Sequence, residues 1–325
     1  MRLPRRRFLC LAAGAGAAAL PAASRLAAAA AYPVRPVRVI VGFPAGSASD
    51  ILARVTAPWL SQQLGQQFVI EDRPGAATNI AAEAVARAIP DGYTLLLVTS
   101  TNAVNATLYE NLNFNFAADI VPVASIDRVP YVMEVTPALP AKTVPEFIAY
   151  AKANPGKINM ASNGVGSGPH VAGELFKMMA GVDLVHVPYS GNPYPDLIGG
   201  QVQVMFSPIP ASIGFVRSGQ VRALAATTAT RLTVLPDLPA IAEFVPGYDA
   251  SGWHGFGAPK GTPAAIIDTL NKTVSAGVSE PDMKARFVDL GVDAMPMTAA
   301  AFGTFIAEET AKWARVIKFA NIKPA

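Results

Sequence analysis

The chain has 325 residues, with 26 lysines and arginines against 23 aspartates and glutamates. Five of the arginines fall within residues 1–31, which hold no acid, so the rest of the chain carries 21 basic and 23 acidic residues. A slightly negative chain with no Lys/Arg-rich run excludes nucleic acid as the expected partner.

Arg2, Arg5, Arg6 and Arg7 form a positive head, an Ala-rich apolar stretch runs from Phe8 to Leu20, and A-x-A choices follow between Ala27 and Ala31. That order predicts a secretory signal peptide over residues 1–31, cleaved on export to the periplasm. Gly14, Gly16 and Pro21 interrupt the stretch, which is short of the ~20 residues a membrane span needs. Arg5-Arg6-Arg7-Phe8-Leu9 fits a twin-arginine signal, and an ordinary Sec signal fits as well. The single cysteine, Cys10, lies inside this segment. The expected mature protein therefore has no disulfide, thiolate metal site or cysteine nucleophile. With no apolar run near 18 residues after the signal, it reads as soluble.

Past the signal, β-rich runs alternate with helical patterns. Strands are predicted at Val37–Val41, Phe68–Ile70 and Tyr93–Val98, with helices at Asp50–Leu64 and Asn79–Ala88 between them. The pattern restarts with strands at Tyr131–Val135, Ile158–Met160, Val185–Val187, Val202–Phe206 and Val221–Ala225, and helices at Val144–Lys152 and Val171–Met179. The tail reads as three helices, Ala264–Ala276, Asp282–Leu290 and Ala299–Phe319. Alternation of this kind predicts an α/β fold with parallel sheets covered by helices on both faces. Two blocks of about 100 residues predict two Rossmann-like lobes joined by a two-crossing hinge. Lobe 1 is placed at residues 32–127 plus 226–325 and lobe 2 at 128–225, with the tail packing on lobe 1.

Two strand-to-helix loops share one design. Phe43-Pro44-Ala45-Gly46-Ser47-Ala48-Ser49-Asp50 opens the first helix of lobe 1, and Ala161-Ser162-Asn163-Gly164-Val165-Gly166-Ser167-Gly168-Pro169-His170 opens a helix of lobe 2. Glycines let backbone approach a ligand, and the following helix aims free N–H groups and its positive dipole end at the loop. Each loop reads either as a carboxylate cradle or as plain helix capping by Ser47, Ser49, Asp50 or Ser167. Neither is a phosphate loop, a G-x-G-x-x-G turn or a nucleophile elbow. The three histidines, His170, His186 and His254, show no metal-ligand spacing, and no metal or cofactor is expected. Asn102, Asn105, Asn192 and Trp253 stay open between pocket and structural roles. The Phe302, Phe305, Ile306, Trp313 and Ile317 stripe reads as helix core.

Further segments carry a family resemblance. They include Pro36–Gly46 with Asp50 and Arg54, Glu71-Asp72-Arg73-Pro74-Gly75, Pro90-Asp91-Gly92-Tyr93-Thr94, Pro140-Ala141-Lys142-Thr143 and Asn154-Pro155-Gly156-Lys157. His186-Val187-Pro188-Tyr189, Gly199-Gly200-Gln201-Val202 and Leu235-Pro236-Asp237-Leu238-Pro239 follow in the same order. The chain resembles the extracytoplasmic receptors of tripartite tricarboxylate transporters, the Bug family of periplasmic solute-binding proteins. The resemblance implies a two-lobed periplasmic-binding-protein-like fold that closes on a small organic acid, docks on membrane permease subunits, works as a monomer and performs no catalysis. It places the ligand against Phe43, Ala45, Gly46, Ser47 and Ala48, with Ser162, Asn163, Gly166, Ser167 and His170 from the second lobe and the strand ends near Ser100 and Tyr189.

The sequence departs from the family pattern in places. Ala45 stands where the first loop usually has glycine, Ser190 where a lysine is usual, and Ser207 where an aspartate often helps hold the ligand. The expected activity is capture of a carboxylate for transport. A sensory protein signalling to a membrane kinase and an exported hydrolase are the other readings.

Overall fold

The structure is a computed structural model that describes residues 32–324 apart from Glu110 and Ser190; the predicted signal segment 1–31 lies outside the described residues. The chain runs β1 (Val37–Val41), α1 (Ala48–Leu64), β2 (Phe68–Asp72), α2 (Asn79–Ala86), β3 (Thr94–Thr99), α3 (Ser100–Leu108), α4 (Phe116–Asp119) and β4 (Ile120–Val135). It continues through α5 (Val144–Ala153), β5 (Asn159–Ser162), α6 (Gly168–Ala180), β6 (Val185–Pro188), α7 (Tyr194–Gly199), β7 (Val204–Pro208), α8 (Ile209–Arg217) and β8 (Arg222–Ala226). The last third holds β9 (Ser251–Pro259), α9 (Ala264–Ser279), α10 (Pro281–Asp289), β10 (Asp293–Ala294) and α11 (Ala299–Ala320).

The strands lie in the order β2-β1-β3-β9-β4-β7-β5-β6, with β8 and β10 also paired to β4. β1 is parallel to β2 and β3, and β5 is parallel to β6 and β7, as strand–helix alternation predicts. The centre differs. β9 runs antiparallel to both β3 and β4, and β4 runs antiparallel to β7 and β8, so the sheets are mixed and not purely parallel. Sixteen-residue β4 supplies the continuity: Ile120–Pro130 pair with β9, while Tyr131–Val135 pair with β7 and β8. The chain thus crosses between the two sheets at Pro130–Tyr131.

Sequence reading missed β9 and the first two thirds of β4 for identifiable reasons. β9 contains Gly252, Gly255 and Gly257, and glycine weakens a strand pattern. The space explains the glycines: a side chain on Gly255 would collide with the Phe302 ring and the Ala124 carbonyl. β4 carries Pro122 and Pro130, and its pairing with β9 slips at Pro122–Ala124 and Ser125–Asp127. Bulges of this kind let proline sit inside a sheet. The return segment also differs from expectation. Leu232, Val234, Leu235 and Leu238 pack with Val132 and Ile209, so chain beyond residue 226 covers the second sheet.

The tail helix α11 does not rest on one side alone. Its buried Phe302, Ile306, Trp313 and Ile317 share one apolar cluster with Val104 and Leu108 of α3 and with Leu175 and Phe176 of α6. Glu309 anchors it from inside. Its Oε2 accepts the indole N–H of Trp253 at 3.1 Å and that of Trp313 at 3.0 Å, and Lys312 pairs with Oε1. Two buried indole donors depend on one carboxylate. Glu309→Ala strands both, each at about 1–3 kcal/mol for an unsatisfied buried donor. Urea unfolding should show a loss of about 2–4 kcal/mol, with Glu309→Gln, which keeps an acceptor, losing less.

Candidate functional site

The two glycine/serine loops open their helices in the same way. Ser47 caps α1, its hydroxyl accepting the Asp50 N–H at 3.2 Å, and the first i→i−4 bond of the helix is Ile51 N–H to Ser47 O. Ser167 caps α6 by accepting the His170 N–H at 3.4 Å. In α1 the N–H groups of Ala48 and Ser49 precede the helical ladder and keep the dipole's positive end exposed to a ligand.

Both loops border one cavity of about 480 Å³, a volume suited to a small molecule. Phe43, Ser47, Ala48, Ser100, Asn163, Ser167 and Ser207 line it, drawn from both halves of the molecule. The capping and cradling roles of Ser47 and Ser167 are compatible, because each serine caps its helix while edging the cavity. Among the described lining residues there is no Lys, Arg, Asp or Glu. A charge on a ligand there meets hydroxyls, amides, helix termini and the His254 ring, with no formally charged side chain among the described lining residues.

Other residues expected at the site lie outside this wall. Ala45 and Gly46 are exposed and do not line the cavity; the Gly46 N–H donates to Asp50 Oδ2 at 2.8 Å, closing the loop. Ser162 is buried behind it, its hydroxyl 2.6 Å from His186 Nε2 and also bonded to Gly164. His170 is buried; its Nδ1 accepts the Gly166 N–H at 3.1 Å, and its ring stacks on His186 at 3.6 Å between centroids. Burial and the neighbouring His170 push the His186 pKa down to about 4, so the His186 ring is a neutral prop for the loop. Gly166, at φ 76°, presses toward Leu108 of α3, where a Cβ would sit 2.6 Å from the leucine. Tyr189 donates its hydroxyl to Asp196 Oδ2 at 2.6 Å instead of lining the cavity. Asn102 and Asn105 are internal ties, to Thr99 and Thr78 and to Ala77 and Asn79 respectively.

Tyr131, Tyr194 and Met205 are walls that sequence reading overlooked, and Trp253 and His254, left open there, prove to line the cavity. Tyr131 enters from the crossing point of β4, Tyr194 from the start of α7, and Met205 from β7, while Trp253 and His254 come from β9. Tyr194 Oη lies 2.8 Å from Ser207 Oγ, which fixes the hydroxyl at the position expected to differ from the family. His254 joins two partners: Nε2 is 2.9 Å from Ser49 Oγ, and Nδ1 is 2.8 Å from Asp127 Oδ1. Asp127 and His254 face each other in the β4–β9 register, and Thr99 of β3 faces His254 from the other side. The signal for this group lay in β9, which the glycines concealed.

An α/β molecule with two sheets, joined by a crossing strand and enclosing a cavity fed by a helix from each half, defines a solute-binding protein of the periplasmic class. Residues 52–322 match the family described as tripartite tricarboxylate transporter family receptor, and the chain belongs to that family. It is 36% identical to protein BugT of Bordetella pertussis over 297 residues, 90% of this chain and 91% of the relative. Among solved structures, Rpa4515 of R. palustris with adipate is 38% identical at a TM-score of 0.80, covering 90% of this chain and all of that one. MatC from Rhodopseudomonas palustris with bound malate is 31% identical at 0.76, covering 88% of this chain and 100% of that one. The family is one of receptors, not enzymes, and these neighbours share the fold. Among the described residues no helix is long and apolar enough to cross a membrane.

One buried acid stands behind the cavity wall. Glu134 of β4 is fully buried, neither carboxyl oxygen has a hydrogen-bond partner, and burial pushes its pKa up to about 7. A carboxyl whose pKa is raised by folding stabilises the native state most below its unfolded value near 4.5, and that contribution drains away as pH climbs through 7. The shift corresponds to about 3 kcal/mol. Glu134→Gln should therefore raise the melting temperature at pH 8 and change it little at pH 4, in melts compared across that range.

Proposed function

We propose that this chain captures a small organic carboxylate in the cavity between its two halves and hands it to the membrane subunits of a tripartite transporter. The observation that carries the reading is the pair of helix N-termini, α1 and α6, capped by Ser47 and Ser167 and meeting at one cavity with no charged wall residue among the described residues. Such termini bind anions through free N–H groups and the helix dipole. The neighbours solved with adipate and with malate support a carboxylate as the ligand class. Phe43, Ala48, Ser100, Asn163 and Ser207 complete the proposed site, while Ala45, Gly46, Ser162, Gly166, His170 and Tyr189 shape or support its loops.

In this reading residues 32–127 and most of 226–325 form one lobe, and residues 128–225, with the return segment at Leu232–Leu238 packed on them, form the other, hinged at β4 and at the return from β8. A ligand touching both lobes favours the closed arrangement by the contacts it makes only there. The protein acts outside the cytoplasm after its signal is removed, as a monomer, without turnover of its ligand.

Thermal melts of residues 32–325 against a panel of mono-, di- and tricarboxylic acids test this directly. An acid present at 100 times its dissociation constant should stabilise the protein by about 2.7 kcal/mol. Silence from every acid, with neutral solutes active, would overturn the ligand class. Ser47→Ala and Ser167→Ala should each weaken binding about tenfold, the worth of one hydrogen bond near a charge, measured by calorimetry with the acid that stabilises best.

A further inference from the structure

We infer that the ligand is a 2-hydroxy acid, and that Ser49, set by His254 and Asp127, reads its hydroxyl. The inference rests on the carboxylate reading above and adds the group beside the carboxylate.

The chain Asp127–His254–Ser49 has a direction. Asp127 is fully buried on the central strand β4, and its Oδ2 has no partner. Its other oxygen meets His254 Nδ1 at 2.8 Å. A carboxylate can only accept, so the imidazole proton sits on Nδ1. With the ring proton held on Nδ1 toward Asp127, Nε2 is the acceptor and Ser49, 2.9 Å away, donates to it. The serine hydrogen is spent inside the wall. What Ser49 turns toward the cavity it lines is an acceptor.

An acceptor at this point is a poor partner for a carboxylate oxygen and a good one for an O–H or N–H. Ser49 stands in the first turn of α1, beside the free N–H groups of Ala48 and of Ser49 itself. A carboxylate held on those groups brings the substituent on its neighbouring carbon against the Ser49 oxygen. An ammonium there would call for an opposing charge, and no Asp or Glu lines the cavity among the described residues. A hydroxyl needs none. The remaining cavity, walled by Tyr131, Tyr194, Met205 and Trp253, leaves the far end of the acid free to vary.

The same three residue types at these distances also form the relay that activates a serine nucleophile. In that role the serine would attack an acyl or phosphoryl centre as its proton passed to Nε2. In the receptor role the proton never leaves, and Asp127 acts only by fixing the tautomer.

Calorimetry with two matched pairs, malate against succinate and mandelate against phenylacetate, tests the inference on residues 32–325. The hydroxy member of at least one pair should bind about tenfold tighter. Ser49→Ala should remove that preference, bringing the hydroxy and plain members of each pair to the same affinity. Asp127→Asn offers its amide hydrogen to Nδ1, moves the ring proton to Nε2 and turns the Ser49 hydrogen toward the cavity, so the preference should shrink or reverse. Melting curves of both variants establish that they are folded. Equal binding within each pair, or a preference untouched by Ser49→Ala, overturns the hydroxyl assignment and leaves the carboxylate reading standing. Failure of all four acids while another acid of the panel binds overturns the hydroxyl assignment alone, and failure of every acid in the panel sinks both. Labelling of Ser49 by a fluorophosphonate, seen in the intact mass, would replace the receptor role of the relay with the nucleophilic one.

Discussion

The pairing of β4 with β9 is the constraint on which the rest of the molecule depends. β4 belongs to both sheets, so whatever fixes its path fixes where the two halves meet. β9 fixes it from one side, and its glycines admit close neighbours: the Phe302 ring, the Ala124 carbonyl, and the side chains of Ile120 and Val98. This backbone-to-backbone approach places Asp127 opposite His254 and brings Tyr131 to the mouth of the second sheet. The helix α11 then locks the crossing from outside, because Trp253 of β9 and Trp313 of α11 share the Glu309 carboxylate. Cavity position is in this sense a by-product of sheet geometry, and the loops only decorate it.

The periphery of the fold was legible in the sequence because its signals are local. β1, α1, α5 and α11 show apolar periodicity, and Ser47, Thr143, Ser167 and Thr298 cap their helices as such residues do. The centre was not legible, because its logic is tertiary. Gly252, Gly255 and Gly257 look like loop residues until the partners that exclude a side chain are known. Parallel alternation was read correctly at both ends of the sheet order and then extended to the middle, where chain reversal makes it antiparallel.

The site divides in the same way. Capping serines announced both loops, and the cavity lies between them. Which loop residues touch a ligand depends on depth, which a string of letters does not contain. His170 looked like a pocket residue because it follows the glycine loop, yet its ring turns inward to stack on His186. His254 looked equally ambiguous, and its ring reaches Ser49, 205 positions earlier in the chain. Ser207 kept its place on the wall, with its hydroxyl engaged with Tyr194.

A cavity without a lysine, arginine, aspartate or glutamate among its described lining residues has a kinetic side. Sites lined by one sign of charge draw in opposite ions over a Debye length and lose that help as salt rises. Here the attraction comes from helix termini and hydroxyls, which act over about one turn of helix and fade quickly beyond it. Capture therefore proceeds at the pace of unassisted diffusion and orientation, and it keeps that pace from fresh water to brine. A receptor of a periplasmic family, where the medium sets the ionic strength, gains constancy from a wall that carries no formal charge among its described residues.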